Sequence, residues 1–162
     1  MTGQQLFFTI NAMGTYKTVQ ELDPVDAAYI AGLIDGEGTI TLTQEHRNEN
    51  RRLVVSVSNN ELQILNYLRD TTGVGSISSK RTYQSNHSPS YTYKITNRQA
   101  LTLLEQVTPF LRSYKSDRAR LILNHYANLT PRNGKYTSEL KVARKRFEKT
   151  VLKLTPTKRP VA

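Results

Sequence analysis

The 162-residue chain contains no cysteine, which excludes a disulfide framework and any zinc site built on thiolates. Its three histidines, His46, His87 and His125, are too scattered for the spacing of metal ligands. There is no Walker loop, no glycine fingerprint for a dinucleotide and no Ser-His-Asp arrangement. No apolar run approaches the ~20 residues of a membrane-spanning helix, and the first residues lack the basic start and long apolar core of a secretory signal. The expectation is a protein with no membrane partner that is not secreted and works in a reducing compartment, cytoplasmic in a prokaryote or organellar. Acidic residues are scarce, 13 against 23 Lys and Arg, for a formal net charge of +10. The shortage is uneven. Residues 1–40 hold one Lys/Arg and five Asp/Glu, a net of −4, whereas residues 41–162 hold 22 and eight, a net of +14. A basic body around an acidic segment suits a polyanionic partner, with the carboxylates reserved for chemistry.

The acidic segment has the marks of a helix. Asp23 can cap the free backbone N–H groups, Pro24 fits the first helical position, and Asp26 places negative charge where the helix dipole favours it. An apolar run follows from Ala27 to Ile34. Ala28, Gly32 and Gly36 are spaced four apart, so one face carries almost no side-chain bulk, and two such helices could meet backbone to backbone. Asp35 and Glu37 then stand at the end where the dipole is already negative. That is costly unless a cation or donor offsets it, and a local rule broken without local gain marks a functional site.

After Gly38 the period changes to two. Ile40 and Leu42 are predicted to face inward, with Thr39, Thr41 and Thr43 outward; Leu53, Val55 and Val57 inward, with Arg52, Val54, Ser56 and Ser58 opposite. The intervening polar loop carries Arg47. Ser58 and Glu61 have capping-box spacing for a helix burying Leu62, Leu65 and Leu68. A second hairpin is predicted over Ser76–Tyr83 and Tyr91–Thr96, with Tyr91, Tyr93 and Ile95 on the buried face and Ser76, Ser78, Lys80, Thr92 and Lys94 on the polar one. Such a face is either solvated or set to read base edges in a groove. Asn97 is read as the cap of a further helix that Pro109 ends or kinks. The basic connector Arg112-Ser113-Tyr114-Lys115 leads into another helix to about Asn128. A last helix is predicted to bury Leu140, Ala143, Phe147, Val151 and Leu154, leaving Lys141, Arg144, Lys145, Arg146 and Lys149 outside to be solvated or to meet phosphates. Residues 1–22 read as an extension in which Leu6–Ile10 suits a short strand or arm, 23–154 as one domain, and 155–162 as a frayed tail.

The stretch Ile30-Ala31-Gly32-Leu33-Ile34-Asp35-Gly36-Glu37-Gly38 resembles the LAGLIDADG motif of homing endonucleases, and its single copy resembles the homodimeric branch of that family. The resemblance implies the αββαββα fold, an α+β class whose antiparallel sheets form a saddle over the DNA major groove, here with extra C-terminal helices. It implies that the motif helices of two subunits pair through Ala28, Gly32, Asp35 and Gly36. It also implies a divalent metal, Mg²⁺ with Ca²⁺ or Mn²⁺ as substitutes, held by Glu37 and the Gly36 carbonyl. Asn59 falls where the family often has a water-positioning Gln, and Lys115 where it has a basic residue near the scissile phosphate. Asp35 is assigned to capping or helix packing. DNA contacts are expected from Thr39, Thr41, Thr43, Arg47, Arg52, Ser56, Ser76, Ser78, Lys80, Thr92, Lys94 and Arg112. The resulting expectation is a homodimeric, metal-dependent endonuclease that cuts both strands of a long pseudo-palindromic double-stranded DNA site. An RNA-binding intron maturase and a DNA-binding regulator that does not cleave are the alternatives on the same fold.

Overall fold

The computed structural model describes residues 17–80 and 88–157. The predicted arm at Leu6–Ile10, the hairpin tip with His87 and the last residues of the tail lie outside them. The chain forms α1 (Pro24–Glu37), β1 (Gly38–Thr43), β2 (Arg52–Asn59), α2 (Leu62–Thr72), β3 (Ser76–Ser79), β4 (Tyr91–Thr96), α3 (Asn97–Val107), a 3-10 turn (Thr108–Phe110), α4 (Lys115–His125) and α5 (Ser138–Lys153). This is the predicted αββαββα order with helices added at the C-terminal end. The strands pair antiparallel in the order β1-β2-β4-β3.

One sheet face is apolar and buried, because Ile40, Leu42, Leu53, Val55, Val57, Tyr93 and Ile95 alternate along the strands as the period-2 pattern requires. Against it pack Ile30, Ala31 and Ile34 of α1, Leu65 and Leu68 of α2, and Leu103, Leu104 and Val107 of α3. Asp23 caps α1 by accepting the Val25 N–H at 2.8 Å. The helix stops at Gly38, whose backbone turns extended. A Cβ there would lie 2.6 Å from the Ile34 Cα, so only glycine lets the first strand leave so close to the helix it follows.

Several local expectations give way to tertiary contacts. The capping box does not form: β2 continues through Ser58 to Asn59, the Ser58 hydroxyl pairs with that of Thr92 at 2.8 Å, and α2 begins at Leu62 with Glu61 at its cap. Leu62, predicted to be buried, is exposed at this first position of the helix, and of that predicted set only Leu65 and Leu68 reach the core. Asn97 is not the cap of α3 but its first residue, at φ +53°, and its Oδ1 accepts the Tyr126 hydroxyl at 3.1 Å. Val54 points with the polar face yet is only 4% exposed. In α5, Ala143 is exposed and its neighbour Arg144 is 1% exposed. The guanidinium of Arg144 stacks on Tyr126, 4.7 Å from the ring centroid, and donates to Glu148, Thr130 and the carbonyls of Leu129 and Arg51. A buried arginine is tolerable only with partners of this number. Arg118 of α4 similarly donates to the Ile40 carbonyl at 2.9 Å and the Leu154 carbonyl at 2.7 Å, tying β1 to the end of α5.

Candidate active site and nucleic-acid face

The two carboxylates at the end of α1 have separate environments. Asp35 turns into its own chain, where it accepts the Arg112 N–H at 2.7 Å, the Ser113 N–H at 3.2 Å and the Ser113 hydroxyl at 2.5 Å. Burial pushes the Asp35 carboxyl up, but these hydrogen bonds and the nearby Lys115 charge together hold it below the ordinary carboxylate range. Lys115, only 8% exposed, donates its ammonium to the carbonyls of Ile34 at 2.7 Å and Asp35 at 2.8 Å. It is the cation that offsets the negative end of the helix. Burial draws the Lys115 pKa down, the Asp35 charge opposes that, and Arg118 adds to the lowering, so it lies below the usual lysine value. Both groups thus act on the helix end, Asp35 by anchoring the connector to α4 and Lys115 by closing the last turn.

Glu37 is exposed. Its carboxylate accepts a hydrogen bond from the Asn59 amide, and the other end of that amide, Oδ1, accepts the Glu61 N–H at 2.8 Å. Asn59 is therefore oriented by α2 and in turn orients Glu37. Lys115 takes the carbonyls of Ile34 and Asp35, not that of Gly36. Glu37 and the Gly36 carbonyl are hard oxygen donors of the kind Mg²⁺ or Ca²⁺ prefers. They fit such a cation as a partial shell. No three acidic or histidine side chains among the described residues converge on a common point, so a cation held here would need further ligands from outside this set.

Next to Glu37 the small-residue face of α1 is open. Ala28, Gly32 and Gly36 are exposed, and a Cβ built on either glycine meets nothing within 4 Å. Val25 is 75% and Tyr29 48% exposed beside them. Of the residues predicted for helix pairing, Asp35 alone is committed elsewhere in its own chain.

The polar face of the sheet begins two residues beyond Glu37. Register brings Thr39 opposite Ser56, Ser56 opposite Lys94 and Lys94 opposite Ser76, while Thr92 lies between Ser58 and Ser78. Thr41 and Thr43 extend β1 on the same side, with Arg52 facing Thr43. The result is a surface of short donors and acceptors from four strands.

A family model described as LAGLIDADG endonuclease matches residues 30–122, from the motif through the first turns of α4. The chain belongs to the LAGLIDADG endonuclease family. Among solved structures the fold of this LAGLIDADG protein is similar to that of the homing endonuclease I-CvuI in complex with its target in the presence of Ca, at 21% identity over 86% of this chain and 87% of that chain, with a TM-score of 0.66. It is similar also to the archaeal intron-encoded homing endonuclease I-Vdi141I complexed with DNA, at 15% identity over 83% and 87% of the two chains and a TM-score of 0.56. For the meganuclease I-SmaMI bound to uncleavable DNA, the match covers 80% of this chain but 45% of the other, at 15% identity and a TM-score of 0.55. At these identities the likeness is one of fold. No curated protein matches the chain in sequence.

The LAGLIDADG fold thus gathers nine of the predicted DNA contacts, Thr39, Thr41, Thr43, Arg52, Ser56, Ser76, Ser78, Thr92 and Lys94, on one sheet face. Arg52 is not a free cation there, since it pairs with Glu45. Lys80 follows β3 and continues its pairing by donating its N–H to the Ser90 carbonyl at 2.8 Å. Arg47 lies in the loop between β1 and β2, and Arg112 is exposed beside Asp35, at the motif end rather than on the sheet. Ser113 is the site residue that sequence reasoning missed. A serine in a basic connector carries no local sign that a carboxylate 78 residues away will claim its hydroxyl.

Proposed function

We propose that this protein is a metal-dependent DNA endonuclease that acts as a homodimer on both strands of a pseudo-palindromic duplex. One observation carries the reading: the exposed carboxylate of Glu37 stands where the open face of α1 meets the hydroxyl-rich face of the sheet, oriented by Asn59. The open glycine face supports pairing with a second α1, and a two-fold pair brings two Glu37 carboxylates to one place and two sheets to one duplex. The match to nearly the whole of the I-CvuI chain but less than half of the I-SmaMI chain supports two copies of this unit as the working assembly.

Glu37 and the Gly36 carbonyl would hold a divalent cation, which when bound would supply activation of water and stabilisation of charge on the phosphate oxygens. Asn59 keeps the Glu37 carboxylate in one orientation. Lys115 and Asp35 fix the end of the helix, so that Gly36 and Glu37 do not fray. The polar face supplies hydrogen bonds to base edges at two-residue spacing. Glu37→Gln tests the reading, since it keeps shape and loses charge. Cleavage in Mg²⁺ is expected to fall by roughly a hundredfold or more, as loss of activated water demands, while duplex binding in Ca²⁺ persists. Normal cleavage by the folded variant would overturn the assignment.

A further inference from the structure

At the end of the sheet away from Glu37, a cleft of about 680 Å³ opens between the β1–β2 loop and α5. Six residues of β1 separate it from the motif helix, roughly 20 Å at ~3.3 Å per residue. Its α5 wall carries Lys145, Lys149 and Lys153, spaced four apart and so stacked along one side of the helix, about 6 Å per step. Arg47 and Arg51 form the opposite wall. All three lysines and Arg47 are exposed, and none makes an ion pair among the described residues.

The acids of the cleft do not cancel this charge. Glu148 is only 12% exposed and is engaged by Arg144 at 3.0 Å and by the Arg51 N–H at 3.0 Å. Glu49 is left as the one acid of the lining without such a partner. The loop wall is built rather than loose. Gln44 donates its amide to the carbonyls of Arg47 at 2.8 Å and Glu49 at 2.7 Å. Arg51 donates to the Leu42 carbonyl at 3.3 Å, and its own carbonyl accepts from Arg144. The cleft adjoins the end of the β1–β2 ladder, since Gln44 follows Thr43 and Arg51 precedes Arg52, its last pair.

We infer that this cleft is a phosphate-backbone site for double-stranded DNA flanking the stretch read by the sheet, and that Lys145, Lys149 and Lys153 hold the outer end of each half-site. The inference rests on the DNA reading above and extends it to α5, which lies outside the family match. An open cleft with ammonium groups spaced along a helix suits a polyanion running past it. Charges in sequence along a helix suit successive phosphates rather than a single enclosed anion.

The test is Lys145→Ala/Lys149→Ala/Lys153→Ala, with mixed-sequence double-stranded DNA titrated over a series of KCl concentrations. Arg47→Ala probes the other wall independently. The Lys→Arg triple keeps the charge, and Arg69→Ala removes a cation from α2, which packs toward the β3–β4 side of the sheet. For the alanine triple, affinity is expected to fall about tenfold or more at low salt, and the slope of log K against log salt to become shallower by about 0.9 for each phosphate that is no longer neutralised. Arg47→Ala should move in the same direction, the arginine triple should retain wild-type behaviour, and Arg69→Ala should change little. If wild-type protein binds the duplex and the alanine triple matches it in affinity and slope, the inference is wrong and the DNA reading stands. Loss of binding to an RNA hairpin with duplex binding intact overturns it in favour of an RNA occupant. If wild-type protein binds no duplex at all, both readings fall.

Discussion

Gly32→Ala has an effect whose sign depends on what covers α1. Inside the protomer the added methyl meets nothing within 4 Å, and Gly32 lies in the interior of the helix. If solvent covers this face, alanine is the better helix former and should stabilise by about 1 kcal/mol, a rise of roughly 2–4 °C in Tm at this chain length. If a second α1 lies against the face, the methyl enters a backbone-to-backbone contact twice per dimer. Overpacking costs about 1–3 kcal/mol per site, hence roughly 2–6 kcal/mol per dimer, and dimerisation should weaken by about thirtyfold to about twenty-thousandfold. The folded protomer should meanwhile be as stable as before or slightly more so. Sedimentation equilibrium over a concentration series measures the first quantity, and thermal unfolding at a concentration below dissociation measures the second. Gly32→Leu should complete the separation and abolish cleavage. A wild-type monomer at micromolar concentration, or a Gly32→Leu protein that still dimerises, would refute the reasoning.

Lys115→Met removes two charge-assisted hydrogen bonds, each worth about 1.5–3 kcal/mol, partly offset because a buried ammonium is itself costly; a net loss of about 3 kcal/mol should lower Tm by roughly 6–12 °C at fixed protein concentration. An unchanged Tm with impaired cleavage would make Lys115 a phosphate ligand instead. Arg144→Met takes the cation from half-buried Glu148 and the donors from the carbonyls of Leu129 and Arg51, and should cost about 3–5 kcal/mol in urea denaturation; a solvated arginine would show almost no effect. The Asp35 pKa is lowered on folding, so its contribution is present above the unfolded carboxylate pKa near 3.8 and is lost as pH falls through the lower folded value. Asp35→Asn should therefore be less stable than wild type at neutral pH, with the difference shrinking in acid. A difference independent of pH would remove the carboxylate from the account.

The hairpins were legible because alternation with a period of two depends only on neighbouring residues. Ile40, Leu42, Leu53, Val55 and Val57 could be assigned to one face, and Thr39 and Ser56 to the other, before any partner strand was known. The same holds for α1, where the Asp23-Pro24 start and the small residues four apart are local signals. What could not be read locally is which members of a polar set are used where. Asp35 and Glu37 are two residues apart at one helix end and look alike in sequence. Only the folded chain turns one toward Ser113 and leaves the other exposed beside Asn59. The cation that makes this end tolerable is Lys115, 80 residues away. Arg144 belongs by composition to a cationic arc, and it is buried because Tyr126, Thr130 and Arg51 converge on it, the last 93 residues distant. Ser58 fits a helix cap by spacing, yet Thr92 on β4 holds it in the sheet. Periodicity reports geometry over a few residues, whereas these choices depend on which buried donors and acceptors meet after long loops have closed, and that is decided by tertiary packing.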